Sequence, residues 1–516
     1  MKGVRPTPPF YTFLVLFSHA KPTEKKRFFR VEKQVFVKEL TLKNFKSFKS
    51  ANLHFGKGFN CVVGPNGSGK SAKYDTKILF STGELKQIGD IVESELNDSD
   101  NLIVLDDGVM TLGSSSNVRI LGIDPSSMCL VEKEVRAFIK REGEPFLYKI
   151  STCSGKHVVA TGCHPVMVYK NGCLTSSLVS NLCTGDSIAS PRVLRLRSSE
   201  KELAPPHDAT EKDAFWEFKG KYPCAPARVP KKIGPEFARF LGYLVGDGSL
   251  CSASKQITFT NADDELINDY TSLTERLFGK KPSARKYGLH GKASMVFFSS
   301  VFVSRCLKNL FENKFVGRDK HVPTQILAST DAVAAEFLAA LFDCDAYARK
   351  TAPSFEYTTC SETLADQVQL MLLRFGIVAV KKTKLKRATN GVNKEKQPYY
   401  TLYVDGQPSF RKLLESIPMR CQHKVARLNE WAMRNIEPNP NRDLLPQRVN
   451  YYVKECVKQL GIACKPLRAE FPRLSAYVEN RCAPTVYGLN EIVAAILSPK
   501  LAQLTACRAQ LKPEKQ

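Results

Sequence analysis

The alternation of apolar and polar residues changes character along this 516-residue chain. Residues 35–63 alternate with a period of two, which predicts strands over Val35–Leu42, Ala51–Phe55 and Phe59–Val63. From 71 to about 200 the pattern breaks into short strands punctuated by Gly, Ser and Asn, with few helical periods. Residues 200–232 are polar and carry Pro205, Pro206, Pro223, Pro226 and Pro230, which reads as a linker. Between 235 and 433 amphipathic helices alternate with strands. Beyond Pro438-Asn439-Pro440, helical segments are predicted near 445–460 and 488–505, followed by a polar tail. The fold class is therefore mixed α/β, with a β-rich part followed by an α/β part. The apolar stretch Pro9–Phe17 is too short to span a bilayer, and residues 1–34 read as an extension.

Two of the predicted helices are related. One runs Phe237-Ala-Arg-Phe-Leu241-Gly242-Tyr-Leu244-Val-Gly246-Asp247-Gly248, the other Phe337-Leu338-Ala-Ala340-Leu341-Phe-Asp343-Cys344-Asp345-Ala346. Small residues four apart, Gly242/Gly246 and Ala340/Cys344, share one helical face, so two such faces can pack with close backbone approach. Leu241, Leu244, Leu338 and Leu341 then face the surrounding core. Each helix ends on an acid, Asp247 or Asp345. Carboxylates delivered to one point repel unless they share cations, and Mg2+ suits oxygen ligands. The second copy has Ala346 where the first has Gly248, so a strained turn is expected after Asp345.

Composition narrows the partners. The net charge is +25, from 76 Lys and Arg against 51 Asp and Glu. That excess points to a polyanion, and double-stranded DNA is the expected partner; no membrane partner is expected. Basic runs at Lys280-Lys281, Arg285-Lys286 and Lys381–Arg387 are candidate phosphate contacts. The sixteen cysteines have no CxxC repeat or zinc-ligand spacing, which fits reduced thiols in the cytoplasm.

A second chemistry-bearing motif precedes the helices. Gly64-Pro-Asn66-Gly67-Ser-Gly69-Lys70-Ser71 spells a phosphate-binding loop after an apolar strand. Its N–H groups would cradle phosphate, Lys70 would neutralise it and Ser71 would ligate Mg2+. The helix that such a loop should open does not follow. Instead the chain reads Ala72-Lys-Tyr-Asp75-Thr76-Lys-Ile-Leu, a turn and a strand.

These motifs carry three resemblances. Lys43–Phe48 and the phosphate loop resemble the start of an ATPase head of the structural maintenance of chromosomes (SMC) family, here 35–70. From Ser71 the chain resembles an intein: Ser71-Ala-Lys-Tyr-Asp75-Thr76 matches the first splicing block, and Thr161-Gly-Cys-His164 the second, with Gly185-Asp186 and Pro191 following. This resemblance implies that the Ser71 hydroxyl attacks the Lys70 carbonyl, His164 protonates the departing nitrogen and Thr161 holds the peptide. The paired helices resemble the LAGLIDADG (DOD-type) homing endonucleases. That resemblance makes Asp247 and Asp345 the metal-binding catalytic pair. Lys320, in Lys320-His-Val-Pro323, becomes a catalytic residue that stabilises charge or tunes water, or else an anchor for phosphate. Lys381, Lys382 and Lys384 are its candidates for a second lysine.

The domain organisation expected from these resemblances is an extension (1–34), an ATPase head fragment (35–70), the N-terminal part of a β-rich Hint splicing horseshoe (71–206), a two-repeat αββαββα endonuclease (231–435), a helical accessory segment (436–505) and a tail (506–516). The accessory segment, with Arg442, Arg448, Lys454, Lys458, Arg468 and Arg473, is either a DNA-binding subdomain or a strut. No histidine follows His423, so the terminal His-Asn of inteins is expected to be missing here or to lie on a second chain. The function implied is site-specific cleavage of double-stranded DNA linked to autocatalytic protein splicing, with Mg2+ as cofactor and ATP only in the restored host. A DNA-binding remnant and a truncated SMC ATPase remain the alternatives.

Overall fold

The structure is a computed structural model. It describes residues 72–434 apart from 106, 114–117, 125–126, 143–145, 171–172, 206–208, 219–225, 252, 288–291 and 387–394. It also describes 444–490 apart from 460–471 and 486–487, and the backbone of strands Phe10–Leu14, Glu39–Phe45 and Phe48–His54. The phosphate loop, Ser71 and residues 491–516 lie outside the described residues.

The N-terminal part is built from antiparallel strands. Ile78, Leu79 and Phe80 lead into a helix, Ile88–Asn97, whose inward face is Ile88, Ile91, Val92 and Leu96. This helix is one of the few helical periods expected among the strands of 71–200; its apolar spacing spans under three turns. Hairpins follow at 102–112, 119–134, 148–160 and 165–178. Strand Phe10–Leu14 pairs antiparallel with Ala137–Glu142, Leu14 opposite Phe138. Part of the expected extension is thus a sheet strand, because the apolar run read as too short for a bilayer is long enough for a strand. The hairpin Glu39–Phe45/Phe48–His54 replaces the expected boundaries of the first two strands.

The expected linker is also ordered in part. Strands Thr210–Lys212, Phe215–Phe218 and Ala227–Pro230 form a three-stranded sheet. Val229 is fully buried, and Trp216 donates Nε1–H to the Leu203 carbonyl at 3.1 Å. Prolines scattered through the segment concealed the apolar positions that dock it on the following domain.

That domain consists of two copies of one unit. The first is α1 (Pro235–Asp247), β1 (Gly248–Leu250), β2 (Gln256–Asn261), α2 (Asp264–Phe278), β3 (Ser283–Tyr287), β4 (Ala293–Ser299) and α3 (Val301–Leu310). The second is α4 (Asp331–Asp345), β5 (Ala346–Ala348), β6 (Ser354–Thr359), α5 (Glu362–Leu372), β7 (Val380–Lys386), β8 (Gln397–Asp405) and α6 (Gln407–Ser416), with α7 (Gln422–Met433) appended. Both sheets have the same antiparallel order, β1-β2-β4-β3 and β5-β6-β8-β7. The registers agree as well: Gly248 lies opposite Phe259, and Ala346 opposite Tyr357.

Helices α1 and α4 lie together at the centre of the domain. A Cβ added at Gly242 would sit 2.4 Å from the Phe337 carbonyl oxygen and 2.8 Å from Ala340 Cβ. One added at Gly246 would sit 2.6 Å from Cys344 Cβ. Leu241, Leu244, Leu338 and Leu341 are fully buried around this contact. A buried charge network ties the two repeats. Arg239 of α1 reaches Asp269 at 2.7 Å, Glu336 at 2.8 Å and Asp343 at 3.1 Å. Desolvating a guanidinium is tolerable here because carboxylates from both units meet it.

Helices Val449–Gln459 and Pro472–Val478 share a small core of their own, Val453, Val457, Leu474 and Tyr477. Among the described residues no helix is long and apolar enough to cross a membrane.

Close packing of α1 on α4 predicts that Gly242→Ala destabilises this domain by about 1–3 kcal/mol, because the new methyl group meets backbone rather than a movable side-chain end. A lowered thermal midpoint measures this; an unchanged midpoint would contradict the contact.

Candidate functional site

Both acid helices end alike. The Gly248 amide donates to the Leu244 carbonyl, and the Ala346 amide to the Phe342 carbonyl. Gly248 has φ −95° and ψ 165°, and Ala346 φ −92° and ψ 157°. The backbone at Ala346 lies in the extended region open to an alanine, so the strain expected after Asp345 is absent.

The parallel endings bring Asp247 and Asp345 to one place. A Cβ on Gly246, beside Asp247, would lie 4.0 Å from Asp345 Oδ2. Burial first, then the Asp247 charge, pushes the Asp345 carboxyl up to about 7. Asp247 Oδ2 accepts from Asn261 Nδ2 at 2.7 Å. The same burial, with both acids, holds the Cys344 thiol well above its ordinary value.

Two lysines flank the pair. Lys320 donates Nζ–H to the carbonyls of Val245 at 2.7 Å and Gly246 at 3.1 Å, the two residues before Asp247. Burial lowers its pKa, while the charges of Asp345 and Asp247 oppose that shift. Lys424, in the first turn of α7, makes the corresponding contacts on α4. It reaches the carbonyls of Phe342 at 3.0 Å, Asp343 at 2.6 Å and Cys344 at 3.3 Å. Each ammonium caps orphan carbonyls at a helix C-terminus and also faces the acids. Lys320 is itself held across the repeats, since the Ser361 hydroxyl donates to its carbonyl at 2.6 Å.

The candidates considered for a second lysine sit elsewhere. Lys381 is buried in ion pairs with Glu362 and Asp366. Lys382 lies over the Tyr403 ring, and Lys384 bonds the Tyr403 hydroxyl. Sequence reading missed both Lys424 and Asn261. The repeat held the signal for Lys424: it follows the second set of paired strands as Lys320 follows the first.

The donor set suits a hard divalent cation. It offers two carboxylates, one of which burial and its neighbour leave partly protonated near neutrality unless a positive charge replaces the proton. The sheets present basic strands at matching edges. Arg285 and Lys286 are exposed on β3, and Lys382, Lys384 and Lys386 on β7.

The second group of expected residues is separate. Thr161 is fully buried, and the His164 amide donates to its carbonyl at 3.1 Å. Ala72 forms an antiparallel bridge with Ala160, and the Lys73 amide donates to Val159 at 3.3 Å. The chain just after Ser71 therefore runs beside the strand that enters Thr161. Gly64, Asn66, Gly67, Gly69, Lys70 and Ser71 are outside the described residues.

Comparison with known proteins gives a LAGLIDADG-like domain over residues 234–312 and 332–418, and an AAA domain over 39–107. Among curated proteins the chain is similar to a replication factor C small subunit of Methanocaldococcus jannaschii, 28% identical over 74% of this chain and 18% of that protein. It is also similar to the replication factor C small subunit of Thermococcus kodakarensis, 29% identical over 77% of this chain and 39% of that one. The replicative DNA helicase DnaB of Rhodothermus marinus is 26% identical over 81% of this chain and 42% of its own length. The chain thus spans less than half the length of these relatives. Among solved structures it is similar to the PabCDC21-1 intein, with TM-score 0.23 and 24% identity, covering 24% of this chain and 74% of that one. Variants of the homing endonuclease I-DmoI have TM-score 0.27 and 15% identity, covering 38% of this chain and 98% of theirs.

The raised Asp345 value fixes a pH dependence for the metal-free chain. Its folded value, about 7, lies above the unfolded carboxylate value of about 3.9, so protonation is the stabilising state. That contribution is full below about pH 3.9 and is lost as pH rises through 7. Asp345→Asn is therefore expected to stabilise the chelator-treated chain at pH 8, by as much as ~4 kcal/mol, and to give no gain at pH 4. Thermal melts at both values check this; the same difference at both would contradict it.

Proposed function

We propose that this chain is a homing endonuclease of the LAGLIDADG type that makes a site-specific double-strand cut in DNA, carried within an intein that interrupts the phosphate loop of an SMC-type ATPase. The observation that carries the reading is the convergence of Asp247 and Asp345 at the ends of two closely packed, symmetry-related helices. The LAGLIDADG-like match over both repeats and the AAA match over 39–107 support it.

Asp247 and Asp345 would hold Mg2+ between them. A bound divalent cation there supplies Lewis-acid stabilisation of the scissile phosphate and lowers the pKa of water. The chain's own residues do the rest. Asn261 fixes one oxygen of Asp247. Lys320 and Lys424 stand beside the two acids, where an ammonium stabilises charge developing on a phosphate oxygen and can hand over or take up a proton at Nζ. Two equivalent acid-lysine sets match the two strands of a duplex. The basic edges of β3 and β7 bind phosphates, and polar strand residues read bases in the major groove.

In the splicing part, the Ser71 hydroxyl loses its proton as its oxygen bonds the Lys70 carbonyl carbon. That proton passes to solvent, the peptide C–N bond breaks, and His164, reprotonated from solvent afterwards, gives a proton to the released nitrogen. Thr161 holds the scissile peptide. The Ala72–Ala160 bridge supports this assignment by running the new N-terminal segment beside the Thr161 strand. In this reading the β-rich part is a Hint horseshoe and Ser71 is the first residue of the insert, so a host Ser following the insert restores Gly-Lys-Ser on excision.

The nuclease reading is tested with the full chain, Mg2+ and host DNA joined across the Lys70–Ser71 codons. A defined double-strand cut is expected, lost in the Asp247→Asn, Asp345→Asn double variant; a cut that survives both would exclude this site. Single Lys320→Met and Lys424→Met variants should each slow cleavage by about 10²-fold or more while leaving DNA affinity within a few-fold. Binding without cutting would favour a DNA-binding remnant. For splicing, hydroxylamine should release the segment preceding Ser71, seen by intact mass, and His164→Ala should slow that release. Release that His164→Ala leaves untouched would remove His164 from the acyl shift.

A further inference from the structure

Beside the acid pair, three side chains from both repeats meet at a point that the nuclease reading does not use. Asp263 is the N-cap of α2; one of its oxygens, Oδ1, accepts from the Glu265 amide at 3.0 Å. Its other oxygen, Oδ2, lies 3.6 Å from Cys421 Sγ. Cys421 immediately precedes α7, and His423 is in the first turn of that helix. The Cys421 Sγ is 3.1 Å from His423 Nδ1 and 3.6 Å from Nε2. One ligand atom from each residue falls within a common span of 4.8 Å.

We propose that Asp263, Cys421 and His423 form a binding site for a zinc-like transition-metal cation that staples the first repeat to the α7 strap. The donor chemistry selects the metal class. Thiolate and imidazole favour zinc or cobalt over magnesium, and one carboxylate completes a mixed N/S/O set. The spacing agrees. Zinc bond lengths of about 2.3 Å to sulfur and 2.0–2.1 Å to nitrogen or oxygen place tetrahedral ligand atoms roughly 3.6 Å apart. The Cys421–Asp263 separation has that value, and the exposed His423 ring can present either nitrogen by a small rotation. Binding breaks the Cys421 S–H bond and releases that proton to solvent while the S–metal bond forms. Solvent enters from the His423 side and supplies the fourth ligand.

The position gives the site a consequence. The amides of Arg420 and Cys421 donate to Asp343, and Lys424 grips the end of α4 three residues further on. On the other side, the Asp263 amide donates to Asn261, which holds Asp247. A cation at the trio therefore fixes both the strap that carries Lys424 and the loop that orients Asp247. Sequence spacing hid the site, because Cys421-x-His423 supplies only two ligands and the third comes from the other repeat.

The test uses the full chain carrying Asp247→Asn and Asp345→Asn, so that the acid pair does not compete. Titration with Co2+ should give one equivalent of binding with a sulfur-to-cobalt charge-transfer band, and Zn2+ should displace it. Cys421→Ser should abolish the band. Asp263→Asn, which preserves the helix cap, and His423→Gln, at an exposed position, should each weaken binding by about tenfold or more without loss of fold. Zn2+ should raise the thermal midpoint of the parent by more than that of His423→Gln. Absence of a band, or a band indifferent to Asp263→Asn and His423→Gln, would overturn the proposal.

Discussion

The placement of the two aspartates depends on how closely two helix backbones can approach. At Gly242 and Gly246 of α1, the missing side chains let the Phe337 carbonyl and the Ala340 and Cys344 side chains of α4 occupy space that a Cβ would fill. Contact at two successive turns aligns the helices at their C-terminal ends, and each end is an aspartate. Larger residues at these two positions would separate the carboxylates. The leucines around the contact supply burial, but they would do so for many helix spacings; the glycines select one.

Around that contact the domain sets polar groups against a low-dielectric interior. Arg239 crosses from α1 to carboxylates on α2 and α4, so the repeats cannot slide without exposing an unpaired charge. Lys320 and Lys424 then neutralise the carbonyl ends of the helices beside the acids. The interior that raises Asp345 is the same one that strengthens any interaction with a cation or a phosphate brought there. Stability and chemistry thus share the same helix ends.

Much of this was legible in the residues. The paired small-xxx-small helices ending on Asp247 and Asp345 carried their own geometry, and helical and strand periods alternated as the two units do. The losses have physical causes. Lys424 stands among charged residues at a helix start and gains meaning only from the carbonyls it meets in α4. Asp263 and Cys421 are far apart in sequence and meet because the residues entering α7 reach the start of α2. Strand Phe10–Leu14 and the strands within 200–232 were hidden because pairing partners, rather than local pattern, make them strands. The turn at Ala346 was expected to be strained because glycine stands at the sister position, whereas the backbone at both positions is extended.

The central claim is that Asp247 and Asp345 serve one cation site. Calorimetric titration of the full chain with Mg2+ tests it most directly. The account predicts that Asp247→Asn and Asp345→Asn each remove the same tight binding event, and that the double variant removes nothing more. Mg2+ binding that survives either single substitution unchanged would contradict it.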